Sequence, residues 1–339
     1  MLFAYGVADC RFGGLTLIVE RGRRNEVVVR YRDGHGLRQT QSLVQAPSCY
    51  IREKDIGKLS PHFTVLGGEY RGLYGEDLRR VSFPNTEDMF RATEDVDTWE
   101  GNIHHANKVL AESGHDFPMY EHRVWFFDME WKIDNGQITI IVVRDSLEGE
   151  FVFFQHNDYK AGSYKSIPAK EHPYGKDACT TEGRSFKCFP DEKSMLEAFA
   201  KLLKKHDPDI LTGWNVVNAD CQQLFKRFKA NEIDPRFLSP MNRVRYDFGD
   251  WAQPIVGINV IDLMIGFKKL WTLKNGQLPA MSLDAVSEFC LGDRKVPLKD
   301  GHDTYYTDFG TYLDYARQDV DLLPRLNDLV DVLGYFTAI

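Results

Sequence analysis

The first 120 residues contain short runs in which apolar positions alternate with polar ones or follow one another for four to six residues. Two such runs lie at 15–19 and 26–31, and glycine-containing turns separate the runs. Apolar runs of this length with intervening turns are typical of β-strands. We therefore predict a mostly β amino-terminal domain over residues 1–120, with a domain boundary near 116–121.

The second half opens with an apolar run at 122–131, a turn at Asn135-Gly136 and another apolar run at 137–143. Asn-Gly between two such runs is a strong signal for a β-hairpin, so we predict two antiparallel strands. A third strand is predicted at 150–155. The polar segment at 157–190 is rich in glycine and proline, and we predict an irregular loop there.

After residue 190 the period of the apolar positions changes from two to about 3.6, which indicates helices alternating with strands. Asp191 is a suitable N-cap for the first helix, and a proline at 208 marks its end. We predict an α/β domain over 121–339, in which helices flank a mixed sheet. Its later segments are a strand at 209–213, a helix after Asp220, a strand at 256–263, a helix at 282–289, and a helix at 311–329 kinked or broken at Pro324.

Four carboxylates stand out in this pattern. Asp128 and Glu130 are two residues apart in a strand and therefore point to the same face of the sheet. Asp220 follows a strand and begins a helix, while Asp319 lies one helical turn after Tyr315. Clustered carboxylate oxygens are suitable ligands for Mg²⁺ or Mn²⁺, and a pair of such ions is a recurring device for cutting phosphodiesters. The pattern predicts metal-dependent hydrolysis of nucleic acid.

Composition narrows the class of protein only a little. The chain has 339 residues, 43% of them hydrophobic, and a formal net charge of −8, which argues against a general nucleic-acid coat. It has no apolar run long enough to cross a membrane and no signal-type start, so we expect a cytoplasmic protein, in the host cell if it is viral. The six cysteines form no C-x₂-C pair, so neither a zinc site nor a disulfide framework is predicted.

Three motifs bring a known family into view. Phe-Asp-Met-Glu at 127–130, Thr-Gly-Trp-Asn at 212–215 followed by Asp220, and Tyr315 with Asp319 resemble the exonuclease motifs of family B DNA polymerases. In that family they belong to a ribonuclease H-like 3′–5′ proofreading domain with a DEDDy site. Further stretches also resemble the family: 207–211, 261–263, 282–286 and 291–295 in the exonuclease region, 238–244 in its T4-like bacteriophage type, and 47–52 and 98–103 in its amino-terminal domain.

The resemblance implies a function and a set of roles. Asp128, Glu130, Asp220 and Asp319 would be ligands of two Mg²⁺ or Mn²⁺ ions. Tyr315 would orient the attacking water. The substrate would be a single-stranded or frayed DNA 3′ end, and the products would be 5′-mononucleotides. Asn215 would be among the substrate-binding residues.

Two departures from the family pattern affect what is expected. Ala219 stands where the second motif usually has an aromatic residue before its aspartate. Nothing in the chain resembles a polymerase palm, so we expect no polymerization by this chain alone. It could be the exonuclease half of a split polymerase, a free-standing exonuclease or a piece of a longer enzyme. For a split enzyme with a separate palm-containing subunit, we expect exposed apolar residues between 322 and 339, although this tail could instead fold back onto its own domain.

Two alternatives from other classes remain open. The chain could be a non-catalytic interaction or DNA-docking subunit of a polymerase. It could also be a 3′–5′ exoribonuclease, because such a catalytic site does not itself distinguish the sugar, and recognition of the 2′-hydroxyl depends on neighbouring contacts.

Overall fold

The computed structural model of the chain describes residues 15–21, 25–59, 62–114, 121–155, 179–180 and 184–337. The chain divides into two compact units, residues 1–120 and 121–339. No helix within these described ranges is both long enough and apolar enough to cross a membrane.

The amino-terminal unit is rich in β-structure. One sheet has the strand order β1-β2-β3, and a second has the order β5-β7-β4-β8 with β6 paired to β7. Each sheet packs a small apolar core against one helix, α2 for the first sheet and α1 for the second. The elements are β1 Leu15–Arg21, β2 Glu26–Arg32, β3 Arg38–Val44, β4 Ser48–Arg52, β5 Thr64–Val65, β6 Tyr70–Arg71, β7 Asp77–Ser82, α1 Thr86–Ala92, β8 Thr98–Trp99 and α2 His105–Ser113.

The second unit is built on a mixed seven-stranded sheet, which confirms the predicted fold class. Its strand order is β12-β13-β11-β10-β9-β14-β15, with β14 parallel to both of its neighbours. The elements are β9 Val124–Trp131, β10 Ile138–Asp145, β11 Gly149–Gln155, β12 Cys179–Thr180, β13 Arg184–Phe189, α3 Glu192–His206, β14 Ile210–Gly213, α4 Gln222–Ala230, β15 Asn259–Asp262, α5 Leu263–Asn275, α6 Leu283–Leu291, α7 Thr304–Thr307, α8 Phe309–Val330 and α9 Val332–Thr337.

Strand β9 divides its side chains between the two faces of this sheet. Trp125, Phe127 and Met129 belong to an apolar core on the face covered by α3 and α4. The opposite face packs against α5, α6 and α8. Because strand side chains alternate, Asp128 and Glu130 lie on this second face, beside helix α8.

The predicted hairpin is confirmed, since β9 and β10 pair antiparallel and Gly136 in their turn has φ 69°. The helix capped by Asp191 is also confirmed, because Asp191 Oδ1 accepts a hydrogen bond of 2.7 Å from the Ser194 amide. The hairpin turn and the helix cap both follow from local side-chain chemistry. They can therefore be predicted from the sequence.

Two predictions about local structure are wrong, and so is one alternative of a third. Residues 184–189, assigned to an irregular loop, form β13 parallel to β11, because the alternating Phe186 and Cys188 pattern suits a strand. The strand expected at 256–263 is limited to β15, and Asp262 then caps a helix, α5, that was not predicted. The break considered at Pro324 does not occur, because helix α8 continues through the proline to Val330 with the surrounding turns buried in the core, while the alternative of a kink stays a prediction.

The expectation of an exposed apolar tail is also wrong for most of the residues concerned. Leu326 and Val332 are fully buried, and Val330 and Leu333 are less than a tenth exposed. Phe336 packs on Trp251 with ring centroids 4.8 Å apart. Among the large hydrophobic residues of the described part of the tail, only Leu329 and Tyr335 are markedly exposed. The tail folds back onto its own unit, which was the alternative considered.

A buried polar cluster holds the beginning of β9 to the end of β10. The carboxylate of Asp145 accepts hydrogen bonds from the Trp125 indole at 2.6 Å and from Arg123 Nε at 2.8 Å, and His206 Nδ1 lies at 2.9 Å. Hydrogen bonds from these partners hold the pKa of Asp145 below its usual value despite its burial. The side chain of Asp145 is completely buried and lies 2.6 Å from Arg123, which also pairs at 2.6 Å with the half-exposed Glu148.

We expect Asp145→Asn to lower the free energy of unfolding by about 3 kcal/mol, because it breaks a buried ion pair and leaves Arg123 with the half-exposed Glu148 as its carboxylate partner. Urea unfolding of purified protein measures this loss. Arg144→Gln is the control, since its pair with Asp321 is solvent-exposed and should contribute less than about 1 kcal/mol. Equal losses in the two variants would contradict the structural role of Asp145.

Candidate active site

The structure brings together three of the four predicted carboxylates. Asp128 and Glu130 come from β9 and Asp319 from α8, and each offers an oxygen within 4.8 Å of the others. Glu130 and Asp319 are less than a tenth exposed. Tyr315 lies one helical turn before Asp319, and the ammonium group of Lys295 contacts both side chains. Three acidic groups and a phenol therefore converge on one side of the sheet.

Asp220 approaches this cluster from a different element. It lies in a single π-helical turn, Val217–Cys221, that links the end of β14 to α4. Such turns are rare and occur frequently at functional sites. Asp220 is 3% exposed, and the charge of Asp128 contributes to the shift in its pKa. Asp220 is thus electrostatically coupled to the cluster, although it is not among the three carboxylates that share the 4.8 Å group.

Backbone geometry at the end of β14 allows this close approach. A Cβ on Gly213 would lie 2.4 Å from the carbonyl oxygen of Phe127, so only glycine lets β14 pass so near to β9. Asn215, the predicted substrate-binding residue, has φ 61° and is partly buried. The backbone amide of Asn215 donates to Asp262 Oδ1 at 3.2 Å, and the backbone amide of Val217 donates to Asp262 Oδ2 at 3.3 Å. Asp262 therefore holds the turn that leads to Asp220.

A lysine that was given no role from the sequence lies inside the cluster. The ammonium group of Lys295 contacts Asp319 Oδ2, and its nitrogen is 3.3 Å from the Tyr315 hydroxyl. The Lys295 backbone amide donates to Asp284 at 2.9 Å, which fixes the segment after α6. Carboxylate charges raise the pKa of Lys295 against the opposing effect of its burial. Lys295 is therefore an internal counter-ion of the site.

Burial raises the pKa of each acidic group, and repulsion from other carboxylates of the cluster adds to it for Asp128, Glu130 and Asp220. Burial is the main cause for Asp128, and the charge of Asp319 adds to it, giving a pKa of about 8. The pKa of Asp319 rises only to about 6, because Lys295 and Tyr315 oppose the effect of burial. Burial raises the pKa of Tyr315 as well, so its phenol stays protonated at neutral pH.

The donor set fits divalent metal ions. All the candidate ligands are carboxylate oxygens, the type that Mg²⁺ and Mn²⁺ prefer. Asp319 Oδ1 is buried and has no hydrogen-bond partner among the residues described, so it retains an unused acceptor. A protein cation, Lys295, already lies against the other oxygen. The clustered carboxylates require positive charge nearby, and the cluster is therefore suited to bind cations.

Two neighbours of the site were missed by the sequence analysis. Lys295 lies in a polar segment between helices, where neither periodicity nor spacing distinguishes a buried lysine from a solvated one. His302 Nδ1 lies 3.7 Å from Glu130 Oε2, although the histidine is separated from Glu130 by more than 170 residues in the chain. The sequence offers one signal for these two residues, which is charge balance: several buried carboxylates require cationic groups nearby.

Comparison with known proteins identifies the family. A model described as the exonuclease domain of DNA polymerase family B matches residues 116–285, half of the chain. The chain belongs to DNA polymerase family B. The predicted resemblance is thereby confirmed, and the convergent carboxylates fall within or beside the matched exonuclease region.

The chain spans less than half the length of each of the similar proteins. The DNA-directed DNA polymerase of Escherichia phage RB69 is 24% identical over 93% of the chain and 38% of its own length. DNA polymerase 037L of Invertebrate iridescent virus 6 is 30% identical over 40% of the chain and 11% of its own length. The family B polymerase of the archaeon Pyrobaculum calidifontis shares the fold, with a TM-score of 0.64 and 17% identity over 95% of this chain and 47% of that one.

The raised pKa of Asp128 predicts how the stability of the unit formed by residues 121–339 depends on pH in the absence of metal. The folded protein retains a proton that the unfolded chain releases above its usual pKa of 3.8, so the free energy of unfolding should fall as pH rises from about 4 to about 8. Asp128→Asn removes this proton. We expect the variant to be more stable than wild type by about 1 kcal/mol or more at pH 8 in EDTA, with the difference vanishing near pH 4.

Denaturant unfolding at several pH values measures this difference. Asp328→Asn, at an exposed position on α8, removes a charge outside the cluster and should leave the pH dependence unchanged. Mg²⁺ should stabilise wild type more than Asp128→Asn, because it binds the folded site. Parallel pH profiles for wild type and Asp128→Asn would show that the proton is not on this group.

Proposed function

We propose that this chain is a metal-dependent 3′–5′ exonuclease acting on single-stranded or frayed DNA 3′ ends, of the proofreading type. The observation that carries the proposal is the convergence of Asp128, Glu130 and Asp319 beside Tyr315. Membership of the exonuclease region of family B supports it. Its products would be 5′-mononucleotides.

In this mechanism the protein holds metal, water and phosphate in one place. Asp128, Glu130 and Asp319 would hold one divalent ion, and Asp128 with Asp220 a second. Bound there, such ions provide hydroxide at neutral pH and stabilise charge on the leaving 3′ oxygen. The Tyr315 hydroxyl, which is protonated and faces Asp319, would orient the attacking water. Lys295 adds a fixed positive charge beside both groups.

The buried position of the carboxylates limits which substrates can react. A scissile phosphate has to reach a half-buried Asp128 and three other carboxylates, Glu130, Asp220 and Asp319, that are less than a tenth exposed. A paired end must separate first, which requires energy for unstacking and unpairing. Asn215 and nearby apolar side chains would contact the separated bases. For a viral enzyme, the place of action would be the host-cell cytoplasm.

Loss of a ligand should abolish turnover. We expect Asp128→Asn, Glu130→Gln and Asp319→Asn each to lower kcat by about 100-fold or more, because even the outer partners of metal ligands are typically worth 10-fold to 100-fold. Release of mononucleotides from labelled single-stranded DNA with Mg²⁺ or Mn²⁺ measures this. Asp328→Asn on the same helix as Asp319 is the matched control and should be fully active. Wild-type activity in excess EDTA would contradict the two-metal proposal.

Strandedness and sugar type test the proofreading part of the proposal. A single strand or a mismatched 3′ end should be cut faster than a blunt duplex, and the ratio should shrink as temperature rises, because thermal fraying reduces the energy needed to separate the end. Matched DNA and RNA oligonucleotides are compared in the same assay. Equal rates on paired and unpaired ends would argue against proofreading, and preference for RNA would favour an exoribonuclease.

A polymerase partner is a further part of the proposal. The curated relatives are named as DNA polymerases, and this chain spans 38% and 11% of their lengths. We propose that the exonuclease serves such a polymerase, with a separate palm-containing subunit as the candidate partner. A non-catalytic docking role is distinguished by turnover: protein that binds the partner but never hydrolyses DNA would support docking.

A further inference from the structure

We propose that Glu192 and Arg227 are positioning residues for the exonuclease reaction. Their partly buried ion pair would fix the place of Asp220 relative to strand β9, which carries Asp128 and Glu130. This inference rests on the proposed function. Neither Glu192 nor Arg227 belongs to the carboxylate cluster, so the pair would act through the elements that carry the ligands.

The carboxylate of Glu192 joins three separate elements. Glu192 begins α3 and is 3% exposed. Its two oxygens accept a bidentate pair from Arg227 on α4, with Nε at 2.8 Å and the terminal nitrogen at 2.6 Å. They also accept from the Ile138 amide of β10 at 2.8 Å and from the Asn231 side chain at 2.8 Å. Bidentate, charge-assisted hydrogen bonds are strong and directional.

Helix α4 is also joined directly to the turn between β9 and β10. Arg227 donates to the carbonyl of Asn135 at 3.2 Å, and Gln223 donates to the carbonyl of Gly136 at 2.5 Å. A Cβ on Gly136 would lie 2.6 Å from the Gln223 amide nitrogen, so glycine permits this close approach as well as the positive φ. The turn and the helix are thus held together by side-chain hydrogen bonds to backbone carbonyls, one of them donated by Arg227 of the ion pair itself.

These contacts lie immediately beyond the metal ligands in sequence. Strand β9 ends at Trp131, one residue after Glu130, and the turn follows. Helix α4 begins at Gln222, two residues after Asp220. The ion pair therefore connects the turn after β9 with helix α4. These two segments follow the ligands Glu130 and Asp220 in the chain. A shift of α4 relative to the turn would be transmitted to Asp220 through the short π-helical turn.

A purely structural role is the competing interpretation. Leu224, Phe225 and Phe228 already anchor α4 in the apolar core, so the ion pair could simply satisfy buried polar groups. A structural role predicts a loss of stability alone. A positioning role predicts weaker binding of one metal ion, because orienting partners of metal ligands typically contribute 10-fold to 100-fold to affinity or activity.

Glu192→Gln separates these interpretations, because it preserves side-chain size and the acceptor for Ile138 but removes the charge that holds Arg227. Mn²⁺ binding to metal-stripped protein is measured by electron paramagnetic resonance. We expect the weaker of two Mn²⁺ sites to lose about 10-fold in affinity, with the tighter site changed by less than about twofold. The KM for single-stranded DNA should stay unchanged, and higher Mn²⁺ should restore kcat.

Asp145→Asn is the matched control, since it disrupts a buried ion pair at the other end of β9 and should lower stability while leaving Mn²⁺ affinity unchanged. A double-mutant cycle adds the coupling test. If Glu192 acts through Asp220, then Glu192→Gln should have no further effect on Mn²⁺ binding in an Asp220→Asn background. Additive effects of the two substitutions would overturn the proposal, as would equal Mn²⁺ affinities for Glu192→Gln and wild type.

The Mn²⁺ measurement keeps the failure of this inference distinct from failure of the proposed function. Wild type that binds two Mn²⁺ ions without degrading DNA would refute the nuclease, while the response of the weaker site to Glu192→Gln would still support positioning. Wild type that degrades DNA while Glu192→Gln matches Asp145→Asn in both stability and Mn²⁺ affinity would refute positioning alone. Wild type without a second Mn²⁺ site would overturn the positioning role.

Discussion

Electrostatic repulsion among the carboxylates that β9 and α8 bring together is the constraint on which the unit of residues 121–339 depends. Asp128, Glu130 and Asp319 would not stay close together in the ionised state without positive charge nearby, because burial weakens the screening by water. Lys295 provides one such charge from within the chain, against Asp319. Protons provide another in the absence of metal, as the raised pKa of Asp128 shows. Divalent ions can replace both.

The fold counters this repulsion by making the elements that carry the carboxylates rigid. Strand β9 lies inside the sheet, with neighbours on both sides, and its other side chains fill the core beneath α3 and α4. A buried ion cluster around Asp145 fixes its beginning, and the contacts of Glu192 fix the turn after its end. Sites placed on such elements keep their geometry better than sites on loops. The stability of the core therefore offsets the unfavourable electrostatics of the site.

The parts of this structure that sequence could predict are those determined by local chemistry. The hairpin at Asn135-Gly136, the cap at Asp191 and the common face of Asp128 and Glu130 each depend on neighbouring residues. Strand β13 and helix α5 were missed because long-range pairing and an overlooked cap at Asp262 determine them. Asp319 could be associated with the site only through the family motifs. Lys295 could not be assigned, since its position depends on how the segment after α6 folds back.

The contact between Lys295 and Asp319 also bears on how tightly the site can hold metal. An ion that enters would compete with protons and, at Asp319 Oδ2, with the ammonium group of Lys295, so its binding there would include an exchange of cations. Such exchange lowers the net affinity for metal. The other oxygen of Asp319, Oδ1, avoids the competition with Lys295, because it is buried and has no hydrogen-bond partner in the part of the chain that the structure describes. The same carboxylate can therefore remain bound to the protein cation and still accept a metal ion.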